Sequence, residues 1–316
     1  MSKYTLPFMG ALPGERRQGY IRVPGTKLRL PYTCIRGEQE GKTAFITSGM
    51  HGSEYAAIET ANRLRQCLTP AQITGDIIIA GPVNMSAFYD RISFVMPEDE
   101  RNLNREFPGK AEGSISQKLA KFLMEHFIKK SDLYIDLHSG DIHESLTPMV
   151  FYPVKGEEEV LQKGIAAVKA LGFRYAAPAL DDGCAISAAA AAGVPAILTE
   201  MGGNANWTDG EVLMYTEGIL RVLTSQGIFR GDEPVYSGIT WTTAVESIVS
   251  DEQGCWYPCF KPGQYVKKGE PLGEIRDFFD KSLQVLAAPY DCVVLYQINS
   301  LAACKGEQLI VFAAIA

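Results

Sequence analysis

The sequence predicts an α/β protein in which a mostly parallel or mixed sheet is flanked by helices and is followed by a small all-β domain. Up to about residue 230, short β-branched runs alternate with stretches of helical periodicity, which is typical of a sheet covered on both faces. Beyond residue 236 the helical periodicity stops and turns containing Gly or Pro recur. A chain of 316 residues, 46% of them hydrophobic, is long enough for two domains. We therefore predict domains at residues 1–235 and 236–316.

In the first domain, the strands are predicted at short apolar runs bounded by turn residues. These runs are 43–48 (TAFITS), 76–83, 133–139, 149–154 and 196–202. Helical spacing of apolar residues predicts helices at 53–68, 114–130, 157–171 and 211–226, with an Ala-rich helix starting at Ala185. Ser114 is placed to cap its helix, because a hydroxyl at that position accepts a free backbone N–H.

The second domain contains a weak internal repeat. The Lys-Gly-Glu turn at 268–270 recurs at 305–307, and each copy precedes an apolar run. The repeat predicts a small quasi-symmetric β-sandwich or barrel, which resembles biotinyl and lipoyl carrier domains. Carrier domains need a lysine at the tip of a hairpin, and the matching turn at 287–291 (AAPYD) has none. We therefore expect this domain to pack over a functional site of the first domain or at a subunit interface.

Composition excludes several classes of partner. A net charge of -7 without a run of Lys and Arg argues against nucleic-acid binding. The apolar stretches are too short or too interrupted to span a bilayer, and the first residues contain no secretory signal. Seven cysteines, an odd number, suit reduced thiols better than a disulfide framework. We expect a cytoplasmic protein that binds neither nucleic acid nor membrane.

Two of the four histidines are predicted at the carboxyl ends of strands. His51 follows strand 43–48, with Glu54 three residues later, and His138 ends strand 133–139. Two histidines and one glutamate are a common ligand set for catalytic zinc, and ligands bind beside such strand ends in open sheets. The spacing of His51 and Glu54 is also common by chance, and His138 could instead be a hydrogen-bonded core residue.

Other polar side chains could complete such a site. Glu200 ends strand 196–202 beside glycines, where it could act as a general base or, alternatively, cap a helix or form a salt bridge. The irregular segment 90–109 carries Arg91, Asn104 and Arg105. Arginine binds carboxylates in a bidentate manner, so this segment could bind an anion, although a solvated charged loop has the same composition.

Four motifs occur in an order that resembles the succinylglutamate desuccinylase/aspartoacylase family, which is related to the zinc carboxypeptidases. They are HGSE (51–54), NLNREFPG (102–109), DLHSG (136–140) and TEMGG (199–203). The resemblance extends over nearly the whole chain. It implies a zinc carboxypeptidase-like fold for the first domain.

The resemblance also implies roles for individual residues. His51, Glu54 and His138 would bind one Zn²⁺ per subunit, and Glu200 would be the general base.

Three more residues correspond to the family's substrate-binding groups. Asn104 and Arg105 match the pair that holds the substrate carboxylate. Arg91 matches the arginine that polarises the scissile carbonyl. One position departs from the family pattern: Asn102 stands where many members have Asp.

The expected function is zinc-dependent hydrolysis of the amide bond of a small N-acyl amino acid or related N-acylated amine. Two alternatives stay open: a carboxypeptidase acting on short peptides, and a catalytically silent ligand-binding relative. Acidic residues in two loops, Asp141, Glu144, Asp181 and Asp182, could favour a substrate with an extra amino group. Assembly into a homo-oligomer is an expectation from the family alone.

Overall fold

The fold was analysed in a computed structural model that describes residues 11–232 and 238–315. The predicted domain boundary at residues 235/236 lies outside the described residues. Within those ranges the chain forms a mixed α/β structure with seventeen strands, six α-helices and three short 3-10 helices.

The strands, in chain order, are β1 (Arg16–Arg22), β2 (Arg29–Arg36), β3 (Gln39–Ser48), β4 (Thr74–Ala80), β5 (Leu133–His138), β6 (Glu144–Leu146), β7 (Met149–Pro153), β8 (Tyr175–Ala179), β9 (Ala196–Glu200), β10 (Thr240–Val249), β11 (Gly254–Pro258), β12 (Tyr265–Val266), β13 (Pro271–Arg276), β14 (Ser282–Ala287), β15 (Cys292–Ile298), β16 (Ala302–Ala303) and β17 (Gln308–Ile315). The α-helices are α1 (Tyr55–Cys67), α2 (Met85–Asp90), α3 (Ile115–His126), α4 (Glu158–Leu171), α5 (Ala185–Ala191) and α6 (Asp209–Ser225). The 3-10 helices are Pro70–Gln72, Leu103–Arg105 and Ile128–Lys130.

A large mixed sheet forms the centre of the molecule. Its strand order is β1-β2-β4-β3-β5-β9-β7-β8-β10-β17-β15-β12, with β6 paired to β15. Strands β4, β3, β5 and β9 are mutually parallel, whereas β7 is antiparallel to β9 and parallel to β8. The four parallel strands therefore end at one edge of the sheet, where the predicted site residues follow them.

Helices cover both faces of this sheet, as the sequence predicts. Helices α1, α4 and α6 pack on one face around buried residues such as Leu64, Leu171 and Tyr215. Helices α3 and α5 contribute to the core on the other face. Ser114 caps α3, where its side chain accepts the backbone N–H of Gln117. This helix ends at His126 and a 3-10 turn follows, so the single helix predicted over 114–130 is interrupted.

The C-terminal strands form a sandwich of two sheets. Strands β14, β13, β11 and β16 make a separate four-stranded sheet, which shares a core with β10, β17, β15 and β12. The two Lys-Gly-Glu turns have the same structure, because Glu270 Oε2 and Glu307 Oε2 each accept the backbone N–H three residues earlier, at 2.8 Å. The resemblance to biotinyl or lipoyl domains stays a prediction.

The C-terminal strands also continue the large sheet. Strand β10 pairs in parallel with β8, and β15 pairs with β6. Val293 and Leu295 on β15 share a buried cluster with Met149 and Tyr175 of the first part of the chain. The two parts are therefore joined by main-chain hydrogen bonds as well as by apolar packing. None of the helices in the described residues is long and apolar enough to cross a membrane.

Candidate metal centre and active site

The loop between β3 and α1 carries His51 and Glu54, and glycines set its path. Gly49 has a φ of 67°, a conformation that favours glycine. A Cβ on Gly52 would lie 2.3 Å from the backbone of Ala87, so only glycine fits there. Glu54 stands at the start of α1 but forms no side-chain cap hydrogen bond. Its carboxylate is therefore free to face the interior of the site.

The loop brings three predicted ligands together. One donor atom from each of His51, Glu54 and His138 lies within 4.8 Å of the others. His51 Nδ1 lies 2.5 Å from Glu54 Oε1, and His138 Nδ1 lies 3.0 Å from Glu54 Oε2. His138 is buried at the end of β5, which is parallel to the strand preceding the loop. Residues far apart in sequence thus converge at one edge of the sheet.

The outer nitrogens of both imidazoles have partners. His138 Nε2 lies 3.1 Å from Asp136 Oδ2, and Thr47 donates its hydroxyl to Asp136 Oδ1 at 2.6 Å. His51 Nε2 lies 3.0 Å from Asn102 Oδ1. Such contacts hold the rings so that both Nδ1 atoms face the carboxylate of Glu54. The sequence pattern predicted no role for Asp136 or Thr47, although Asp136 lies inside the DLHSG motif.

The donor set fits a divalent cation. Two imidazoles and a carboxylate are ligands that zinc prefers, and three protein ligands leave a position for water. Glu54 Oε2 is buried and accepts no hydrogen bond. Burial alone would raise the pKa of Glu54, but the positive charges of His138 and His51 lower it to about 2. The carboxylate is therefore ionised, as a metal ligand must be.

Glu200 lies beside this group. It ends β9, and the parallel register places it directly opposite His138 of β5. Its Oε2 atom is buried without a hydrogen-bond partner in the described structure. Burial raises the pKa of Glu200 well above its ordinary value; His138 opposes the increase, and Glu54 and Glu144 add to it. A carboxyl group with a raised pKa can exchange protons near neutral pH.

The predicted substrate-binding pair lies on the short helix Leu103–Arg105. Asn104 is buried, and its Oδ1 accepts the backbone N–H of Ala185 at 2.8 Å. Arg105 is exposed at the cavity wall, where its Nε lies 2.7 Å from Asp181 Oδ2 and its Nη1 donates to the Asn104 carbonyl at 2.9 Å. The carboxylate of Asp181 therefore holds the guanidinium.

Arg91 lies apart from these residues. It follows α2 in a left-handed conformation, with a φ of 55° and an exposed side chain. It is not among the described residues that line the cavity, although Ser93 and Phe94 are. Its assignment to the scissile carbonyl stays a prediction, which requires its side chain to turn inward.

The site opens into a cavity of about 740 Å³. The proposed ligands, Glu200, Asn104 and Arg105 line one side of it. Tyr296 and Ile298 of β15 line another side, together with Glu246 of β10. Burial raises the pKa of Tyr296, and the charges of Glu144 and Glu200 add to this effect. No pattern in the sequence indicated that the C-terminal strands contribute these residues.

The acidic residues of the two loops differ in position. Asp141 is buried and accepts hydrogen bonds from the Ser53 hydroxyl and the Ile142 backbone. Glu144 lines the cavity, whereas Asp182 is exposed and pairs with Lys155 at 2.7 Å.

Comparisons with known proteins identify the fold and the family. The fold matches known α/β structures. A succinylglutamate desuccinylase from Silicibacter sp. TM1040 superposes with a TM-score of 0.89 at 22% identity, covering 99% of this chain and 98% of that chain. The family model of the "Succinylglutamate desuccinylase/Aspartoacylase catalytic domain" matches residues 40–225. The chain belongs to the succinylglutamate desuccinylase/aspartoacylase family, as its motifs indicate.

Two further relatives carry more specific names. The chain is 29% identical over 283 residues to the N-alpha-acetyl-L-2,4-diaminobutyric acid deacetylase of Halomonas elongata. The matched residues make up 83% of this chain and 80% of that protein. The product-bound structure of the ectoine utilization protein EutE (DoeB) from Ruegeria pomeroyi superposes with a TM-score of 0.86 at 23% identity, covering 98% of both chains.

Proposed function

We propose that this protein is a zinc-dependent deacylase that hydrolyses the amide bond of a small N-acyl amino acid or related N-acylated amine. The observation that carries the proposal is the convergence of His51, Glu54 and His138 within 4.8 Å, with Glu200 directly opposite His138 in the sheet. The name of the Halomonas elongata relative supports the same reaction class. His51, Glu54 and His138 would hold one Zn²⁺ per subunit.

The protein's own residues bind the substrate and transfer protons. When bound, zinc supplies a Lewis acid and lowers the pKa of water to about 7. Arg105 and Asn104 bind and orient the substrate carboxylate. Glu200, with its raised pKa, accepts a proton from the attacking water and returns it to the departing amine. In this mechanism Arg91 would stabilise the oxyanion after turning towards the cavity.

The C-terminal strands serve as a wall in this proposal. Tyr296, Ile298 and Glu246 close one side of the cavity, which limits the length of the substrate. A sandwich resembling carrier domains would thus exclude long peptides rather than carry a cofactor. The seven cysteines are all free, which suits a cytoplasmic location. Homo-oligomerisation stays a prediction.

The test is a panel of substrates with metal analysis. Zinc-loaded protein is assayed on N-acetyl and N-succinyl amino acids and on dipeptides. Turnover of the N-acyl amino acids supports the proposal, whereas turnover of dipeptides alone indicates a carboxypeptidase. Bound metal without turnover of any of these compounds indicates a silent binding relative.

Substitution of the proposed base refines this test. Glu200→Ala should retain zinc and lose ~100-fold or more of the rate, because it removes the base but no ligand. Glu54→Gln, the matched control, should lose zinc. Near-normal turnover by Glu200→Ala contradicts the assignment of the base.

A further inference from the structure

The wall of the cavity carries more acidic than basic side chains. Among the described lining residues Arg105 is the one arginine and no lysine is present, and Asp181 already pairs with Arg105 at 2.7 Å. Apart from Glu54 and Glu200, the acidic residues that line the cavity are Asp141, Glu144, Asp181, Glu246 and Glu307. A cavity with this balance favours a cationic group over a second anionic one.

Most of these carboxylates already accept hydrogen bonds from other groups of the protein. Glu246 Oε1 accepts the hydroxyl of Tyr290 at 2.9 Å, and Glu307 Oε2 accepts the backbone N–H of its own turn. Asp141 is bound by Ser53 and by a backbone N–H. These contacts fix the carboxylates in the structure of the protein.

Glu144 differs from them. Its Oε2 accepts the backbone N–H of Asp141 at 3.0 Å, and it forms no ion pair with any residue in the described ranges. Burial raises its pKa to about 7, and the charges of Asp141 and Glu54 contribute in the same direction. When Glu144 is ionised, the Asp141 N–H is its hydrogen-bond donor and no cationic side chain of the described residues pairs with it.

The backbone holds Glu144 firmly at the cavity wall. Strand β6 pairs Glu144 with Ile298 of β15, and the Glu144 carbonyl accepts the Asn204 N–H at 2.8 Å. Glu144 and Glu200 line the same cavity, and the charge of Glu144 contributes to the raised pKa of Glu200. Glu144 is thus a pre-positioned carboxylate near the proposed reaction centre, and a bound ammonium would compensate its charge.

We propose that Glu144 determines substrate specificity by binding a second, free ammonium group of the substrate. The preferred substrate class is then N-acylated diamino acids. This inference rests on the deacylase function proposed above. Arg105 binds the one carboxylate that such a substrate carries. A dicarboxylate would place its second anionic group in a cavity without another arginine or any lysine among the described lining residues.

The test compares substrates that differ by one amino group. Zinc-loaded protein is assayed on Nα-acetyl-L-2,4-diaminobutyrate and on Nα-acetyl-L-2-aminobutyrate, which has the same carbon chain without the second amine. We expect kcat/KM to favour the diamino substrate by ~10-fold or more. Glu144→Gln should reduce kcat/KM for it by ~10- to 100-fold, mainly through KM, because a charge-assisted contact is lost. The ratio of kcat/KM for the two substrates should fall by ~10-fold or more, because a change at Glu200 acts on both substrates alike, whereas loss of the ammonium contact acts on the diamino substrate alone.

Glu246→Gln is the matched control, because it removes an acidic group of the same cavity that already has a partner. It should leave the preference unchanged. Calorimetry with the product 2,4-diaminobutyrate should show weaker binding to Glu144→Gln by the same factor as KM.

The outcomes separate the two proposals. If the wild-type protein hydrolyses neither substrate nor any other N-acyl amino acid, the deacylase function is wrong. If it hydrolyses both butyrates equally, or if Glu246→Gln abolishes the preference as strongly as Glu144→Gln, the role of Glu144 is overturned and the deacylase function stands.

Discussion

The Nε2 atom of His51 lies 3.0 Å from the Oδ1 atom of Asn102. The same oxygen accepts the backbone N–H of Asn104 at 2.9 Å, and a backbone N–H can only donate. Oδ1 is therefore the acceptor in both contacts, and His51 carries its proton on Nε2. In the neutral ring, the form that binds a metal ion, the lone pair of Nδ1 then faces Glu54. Asn102 thus fixes the tautomer of a proposed ligand, in a position where many family members have Asp.

Removal of this contact should weaken metal binding. Asn102→Ala leaves the His51 ring without its acceptor, and we expect zinc affinity to fall by ~10- to 100-fold. Competition with a chromophoric chelator measures the affinity directly. Asn102→Asp should bind zinc at least as tightly as the wild type, because a carboxylate increases the basicity of the ring. Unchanged affinity in Asn102→Ala would show that packing alone orients His51.

The loop that carries two proposed ligands should not tolerate a side chain at Gly52. A Cβ there would lie 2.3 Å from backbone atoms of Ala87 and Phe88, neither of which can move without displacing α2. We expect Gly52→Ala to lose bound zinc, as measured by elemental analysis of the purified protein. Gly210→Ala, in the first turn of α6, has no atom within 4 Å of the added Cβ and should keep its zinc. Full zinc occupancy in Gly52→Ala would contradict the proposed role of this close approach.

The contact between the two parts of the chain should contribute strongly to stability. Leu295 is fully buried in the cluster that joins β15 to Met149 and Tyr175. Leu295→Ala should lower the free energy of unfolding by about 2–5 kcal/mol, because it removes apolar contacts and leaves a cavity. Denaturant titration measures the change. Leu301→Ala, at an exposed leucine of the same C-terminal part, should change stability by less than about 0.5 kcal/mol. Equal effects of the two substitutions would mean that this cluster is not a tight core.

The raised pKa of Glu144 predicts a pH-dependent stability. Its pKa rises from 4.5 to about 7 on folding, so between these values the folded protein binds more protons than the unfolded chain. The contribution of Glu144 to stability is therefore most favourable at low pH in this range and decreases as pH rises towards 7. In metal-free protein, Glu144→Gln should be stabilising by about 1–3 kcal/mol more at pH 8 than at pH 4.5. Chemical denaturation at both pH values tests this, and a difference of the opposite sign would contradict it.

Much of the fold could be predicted from local sequence patterns. The continuous buried run of β5 and the helical spacing of α3 are strong local signals, and both elements form, although α3 ends at His126 instead of residue 130. Strands β1 and β8 went unrecognised. β1 has the largely exposed sequence RRQGYIR, and β8 is a short YAAPA run with a proline. Such strands form because neighbouring strands bond to them, and their own sequences do not specify that pairing.

The candidate site could be predicted in part from the positions of strand ends. Parallel strands end at one edge of a sheet, so the residues that follow β3, β5 and β9 had to meet there. Tyr296 and Glu246 belong to the C-terminal strands, and no local pattern specifies which face of these strands packs against the cavity. The contact between His51 and Asn102 depends on the path of an irregular loop, which spacing alone does not determine.

The pairing of β10 with β8 affects how substrate enters the cavity and how product leaves it. The wall that carries Tyr296 belongs to the same hydrogen-bonded sheet as His138 and Glu200. Swinging this wall outward would break main-chain hydrogen bonds at every turnover. We expect the width of the cavity entrance to be fixed when the chain folds. It then stays constant during turnover and limits the size of the molecules that enter.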